Sequence, residues 1–206
     1  IACKHEQTDC AVALIDAKAL LDIKQAGGWF ALMYAVHNND AELTHRLIRA
    51  KADLNQTSQR GHTALMQACE HERHEIAVAL IDAEANVNVA TTKGKTALLY
   101  ALRNNDEGVA LRLIQNNADL RMIGRQPGPL LLAAQENHEE CVKAILERAH
   151  DEDVNSVLRH AVRRSDQEYD VERQARIVRA LLGTDGADRT QTDASGRTAW
   201  DIASGP

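Results

Sequence analysis

The chain has 206 residues, of which 44% are hydrophobic and only 3% aromatic, with a formal net charge of −6. That length suits one or two globular domains or a stacked array with a continuous core, and an interior poor in rings must be built from Ala, Leu, Val and Ile, as closely packed small helices are. The acidic balance argues against a general nucleic-acid binder, no run approaches the eighteen or so apolar residues of a membrane span, and the opening IACKHEQTDC lacks signal-peptide organisation.

Set against itself, the sequence repeats roughly every 33 residues. GGWFALMYAVHNNDAELTHRLIRAKADL (27–54), RGHTALMQACEHERHEIAVALIDAEANV (60–87) and KGKTALLYALRNNDEGVALRLIQNNADL (93–120) share one template. It runs Gly, a short Ala-Leu signature, Ala three residues on, Leu-Ile, then Ala-Asp/Asn-Leu/Val. Equivalent alanines are Ala2, Ala35, Ala68, Ala101, Ala133, Ala161 and Ala203. The expected units within a single domain, 1–206, are 1–24 (partial), 25–57, 58–90, 91–122, 123–150, 151–192 (with an insertion) and 193–206 (partial).

In chain order, the first unit opens inside a helix, with Cys3 at a core position and Cys10 on a second helix. The second unit carries the tip QAGGW, which places Trp29 where a helix core cannot easily cover it, and then Phe30 where its neighbours have Thr. In the third, Leu65, Ala68 and Cys69 fall at i, i+3 and i+4, one face of a short helix that Thr63 suits as a start. The polar stretch His71 to His74 predicts a tight turn. Ile76, Ala77, Leu80 and Ile81 make the apolar face of a second, antiparallel helix, and Asn86, Asn88 and Gly94 mark a protruding hairpin. The fourth unit repeats this pattern. The fifth begins irregularly as GRQPGPL, and the sixth carries extra residues in RRSDQEYDVERQAR (163–176), expected as an extended turn between helices. The seventh, DASGRTAWDIA, returns to the template with Trp200 in place of the core leucine Leu65, so packing is expected for it.

Gly61, Thr63, Ala64, Leu65 and Ala68, followed by Leu80, Ala85, Asn86 and Asn88, resemble the ankyrin repeat, and the resemblance extends over essentially the whole chain. It implies an all-α ankyrin-repeat solenoid of stacked helix-turn-helix units with β-hairpin loops, in which each unit needs its neighbours to cover its apolar face. The departures are specific. The family's proline is alanine at Ala31, Ala64 and Ala97 and is kept at Pro129. Phe30 should remove a capping hydrogen bond. The usual glycine after the second helix is Lys18, Lys51, Glu84 and Asn117, each strained if the backbone there is left-handed. The segment from Leu80 to Asn88 also resembles substrates of asparagine hydroxylation, although the simpler expectation is that Asn88 stitches the hairpin.

Reactive sites are not expected. His71-Glu72-Arg73-His74 falls one residue short of His-Glu-x-x-His, and the repeat fans these side chains outward rather than converging them on a metal. Cys69, Cys3, Cys10 and Cys141 hold apolar repeat positions and form no C-x-x-C pair, so reduced, buried thiols in a cytoplasmic setting are expected. The sequence has no nucleophile elbow, phosphate loop or dinucleotide fingerprint. No catalytic activity, cofactor or metal is expected.

What the resemblance implies is a groove lined by hairpin tips and first helices. The tips hold Arg60, Lys93, Lys95, Arg125 and Arg197 against Asp193, a local reversal of sign that favours an acidic protein or peptide. Trp29, His62, Lys93, Lys95 and Arg125 are the expected contact residues, with Tyr34 and Tyr100 near the groove edge. The expected function is non-catalytic protein recognition or scaffolding by a monomer. The alternative is that the repeats belong to a larger enzyme, kinase-like chain or channel, which the absence of complete polar capping units and the initial Ile favour.

Overall fold

The computed structural model describes residues 8–121, 128–148, 154–164, 171–184 and 187–204. In chain order the helices are α1 (Thr8–Asp16), α2 (Ala31–His37), α3 (Ala41–Arg49), α4 (Ala64–Glu70), α5 (His74–Asp82), α6 (Ala97–Arg103), α7 (Glu107–Gln115), α8 (Pro129–Gln135), α9 (Glu139–Leu146), α10 (Val154–Arg164), α11 (Val171–Leu182) and α12 (Ala199–Ser204). They fall into two compact units, residues 1–118 and 119–206.

In the first unit, α2, α4 and α6 pack side by side, α3, α5 and α7 form the second row, and α1 lies on α3. The shared template explains the packing. Leu32, Leu65 and Leu98 are buried from one repeat to the next, as are Ala35, Ala68 and Ala101, the alanines allowing close approach of neighbouring helices. The position of Cys69 is buried in each repeat, by Val36, Cys69 and Leu102. In the second unit, α8 packs on α9 and α10, and α11 on α9, α10 and α12.

Helix ends follow from single residues. Thr63 Oγ1 accepts from the Met66 N–H at 3.2 Å and Thr96 Oγ1 from the Leu99 N–H at 3.4 Å, whereas Phe30 makes no side-chain cap and is buried instead. At the far ends of α1, α3, α5 and α7 the chain turns left-handed: φ is 56° at Lys18, 59° at Lys51, 60° at Glu84 and 62° at Asn117. The Lys51 N–H donates to the Ile48 carbonyl (2.9 Å) and the Ala52 N–H to the Leu47 carbonyl (3.0 Å), the paired bonds of a Schellman ending. The alanine of the Ala-Asp/Asn motif is the buried residue that follows this turn, at Ala52, Ala85 and Ala118. A second left-handed position joins α2 to α3, α4 to α5, α6 to α7 and α8 to α9, at Asn39, Glu72, Asn105 and Asn137.

The hairpins are reduced to their tips. Gln25, Ser58, Thr91 and Asp193 each donate their N–H to the carbonyl four residues on (Trp29, His62, Lys95 and Arg197) and accept from the N–H three residues on. Among the described residues, one isolated antiparallel bridge, Thr192 to Thr198, stands in for a sheet. Below the tips, the Asn86 N–H donates to Asn55 Oδ1 of the preceding repeat at 2.7 Å, while Asn88 Nδ2 donates to the Asn117 carbonyl at 3.1 Å. Asn88 therefore stitches this stretch to the chain that follows.

Three expectations need correction. Arg163 and Arg164 lie in α10 and the residues from Val171 to Arg176 in α11, so much of the insertion lengthens two helices to 11 and 12 residues; positions 165–170 lie outside the described residues. Trp200 is 57% exposed, with the Arg189 guanidinium 5.8 Å from its ring centroid, because α12 has helix neighbours on one side only among the described residues. Cys10 is exposed while Cys69 and Cys141 are buried as expected, and Cys3 lies outside the described residues.

Candidate functional site

The tips of adjacent repeats touch. Gly28, with φ of 78°, lies so close to the next tip that a Cβ would sit 2.8 Å from the Gln59 nitrogen, and at Gly61 (φ 77°) it would sit 3.1 Å from the Thr91 Cα. This contact brings Trp29 of one tip beside Arg60 and His62 of the next.

Below them a groove of about 440 Å³ is lined by Trp29, Met33, Arg60, His62, Gln67, Glu70 and His71, among others. The half-buried Trp29 indole forms one wall, 5.0 Å from the Tyr34 ring centroid and edge-on to His37 at 5.3 Å, with His71 6.2 Å further along. His62 forms another wall, with Nε2 2.8 Å from the Tyr100 hydroxyl and 3.6 Å from a Glu70 carboxylate oxygen. Burial lowers the His62 pKa; Glu70 opposes the shift, and Lys95 and Arg60 reinforce it. Burial, with Glu70 beside it, holds the Tyr100 hydroxyl up to about 12.

Gln67 was not singled out in the sequence. It occupies the α4 position that Tyr34 and Tyr100 hold in the flanking repeats, and the smaller side chain leaves room for the groove. Gln67 is only 4% exposed, and its Oε1 is buried with no hydrogen-bond partner among the described residues. Such an acceptor costs roughly 1–3 kcal/mol. The signal was a polar amide at a helix position tyrosine holds on either side.

Of the other expected contacts, Lys95 lies with its Nζ 5.0 Å from the Tyr100 ring centroid, a cation–π contact inside the next tip, and Lys93 is exposed in that same turn. Arg125 lies outside the described residues. Arg197 pairs with Asp193 at 2.8 Å, which offsets its charge. The cluster that read like a metal motif is dispersed: Glu72 takes the left-handed turn, and His74 Nδ1 lies 3.1 Å from Asp106, whose Oδ1 caps α7. Burial, aided by Asp106, pushes the Cys69 thiol pKa up, so this sulfur is a poor thiolate.

Comparison with known proteins accords with this geometry. A family profile described as ankyrin repeats in three copies matches residues 32–124, and a single ankyrin repeat matches 129–159. No curated protein matches the sequence. Among solved structures, the human ASB11 ankyrin repeat domain is similar with a TM-score of 0.68 at 19% identity, covering 98% of this chain and 89% of that one. The ankyrin repeat domain of Bcl-3, described as a unique member of the IkappaB protein family, has a TM-score of 0.70 at 22% identity, covering 98% and 91%.

Proposed function

Because the chain belongs to the ankyrin repeat family, an all-α solenoid fold that generally serves protein–protein interaction, we propose that it is a non-catalytic recognition module that holds a partner peptide in the Trp29–His62 groove. The observation that carries this reading is the half-buried Trp29 indole that walls a groove shared by two adjacent tips. A bound chain would complete the burial of that indole. Neighbouring repeats brace the walls, so little ordering cost falls on this side of a complex.

Around the groove, Arg60, Lys93 and Lys95 favour acidic residues in the partner. The described residues contain no helix long and apolar enough to cross a membrane, and the sparse cysteines support a monomer working in the reducing cytoplasm. The test is affinity capture from cell extract by the wild-type chain, by the Trp29→Ala/Lys93→Glu double variant and by Gln67→Tyr, which fills the groove as the flanking repeats do. Partners retained by the wild type and lost by both variants, with helicity unchanged by circular dichroism, are the expected result. Undiminished capture rejects the groove.

A further inference from the structure

We propose that the cleft between the ends of α1 and α3 is a second docking surface, which takes a peptide segment carrying a large apolar side chain flanked by Asp or Glu. The cleft, of about 680 Å³, shares no lining residue with the Trp29 groove. Its apolar lining includes Ile15, Leu20 and Leu21. Leu20 is 81% exposed, so its side chain plays no part in the core. The same position in later repeats is Asp53, Asn86 and Asp119, whose Oδ1 atoms accept the N–H two residues on at 2.9, 2.9 and 3.0 Å. Leu20 forgoes that bond and shows apolar surface to water instead. Asp22 meanwhile keeps the stitch of the template, accepting the Asp53 N–H at 3.0 Å as Asn55 accepts that of Asn86. A residue that breaks a local rule its counterparts keep, and gains no burial by doing so, points to a covering partner.

Charge names the chemistry of that partner. Lys18, Arg46, Arg49 and Lys51 line the cleft against Asp16 and Asp22, a positive excess in a chain of net charge −6. Arg46 pairs with Glu42, but Lys18, Arg49 and Lys51 are exposed and make no side-chain ion pair among the described residues. The excess is local. Where the α3 repeat presents Arg46, Arg49 and Lys51, the α5 repeat has Ala79, Asp82 and Glu84. Acidic groups of a partner are therefore drawn to this cleft, and an apolar side chain between them covers Leu20. Asp16 and Asp22 stand in the same lining, so a segment that sets a few acids beside the cations fits better than the uniformly negative surface of a lipid bilayer.

The probe is a phage-displayed library of random twelve-residue peptides, selected on the full chain at low salt, with each winner synthesised and measured by fluorescence polarisation. The expected winners carry Leu, Ile, Met or Phe beside Asp or Glu and bind Trp29→Ala as they bind the wild type. Leu20→Asn, which restores the turn residue of the template, should weaken them about tenfold while raising the melting temperature. Arg49→Gln and Lys51→Gly should each weaken them about threefold, and added salt should narrow that difference. Arg49 is exposed, so its loss reads binding apart from folding. If every winner is lost to Trp29→Ala and none to Leu20→Asn, this inference is overturned and the groove reading stands. No winners, or winners indifferent to both changes, overturn the two together. Co-sedimentation of the wild type with phosphatidylserine vesicles, abolished by Leu20→Asn, gives the cleft to a membrane and overturns the peptide assignment.

Discussion

Gln67 carries a cost in stability. Its buried Oε1 lacks a partner, so Gln67→Met, which keeps volume and removes the polar group, should raise stability by about 1 kcal/mol. Urea melts check the sign; a loss of stability would show that the amide is already satisfied. The left-handed residues are simpler. Lys51→Gly and Glu84→Gly, at φ of 59° and 60°, should each raise stability by a few tenths to about 1 kcal/mol, read as a higher denaturation midpoint. Gly61→Ala should do the reverse by about 1–3 kcal/mol, since its Cβ would press on the Thr91 backbone at a φ of 77°. The left-handed positions after α1, α3, α5 and α7 were legible because the family resemblance supplied the glycine that each of them lacks. Asn39, Glu72, Asn105 and Asn137 were not, because no expected glycine stood there to be missed.

At the scale of the helix pair, the repeat specifies ends as well as faces. Thr63→Ala should cost about 1 kcal/mol by leaving the Met66 N–H of α4 without its acceptor. Phe30→Thr restores a cap to α2 yet should still destabilise, because a ring that is almost wholly buried leaves a cavity worth more than one capping bond. Thermal melts of the two variants check both signs. Periodicity made the first and second helices readable wherever flanking repeats supply the cover. It misjudged Trp200, where a core position of the template has no covering helix among the described residues, and the 163–176 insertion, whose polar composition hid two lengthened helices.

For the molecule as a whole, the candidate site was half legible. Trp29 and His62 stand out as tip residues in the sequence, but their meeting in one groove depends on tip-to-tip packing, and the groove exists only because α4 carries Gln67 between two tyrosine-bearing repeats. Lys95 also meets the Tyr100 ring, a contact that its tip position alone does not reveal. His62 also links stability to pH. Its folded pKa lies below the ordinary 6.5, so the unfolded chain binds more protons between those values. The stability it contributes is therefore complete above pH 6.5 and lost as pH falls through the folded value. Melting midpoints should drop from pH 7.5 to 5.5, and His62→Asn should flatten that drop.

The central claim is that a partner peptide covers the Trp29 indole. In Trp200→Phe, a change at an exposed ring, indole fluorescence reports Trp29 alone. Titration with a selected peptide that Leu20→Asn binds unchanged should blue-shift that emission and protect it from acrylamide quenching, with the same midpoint as binding followed by polarisation. Binding that saturates while the Trp29 emission and its quenching stay unchanged would contradict the account.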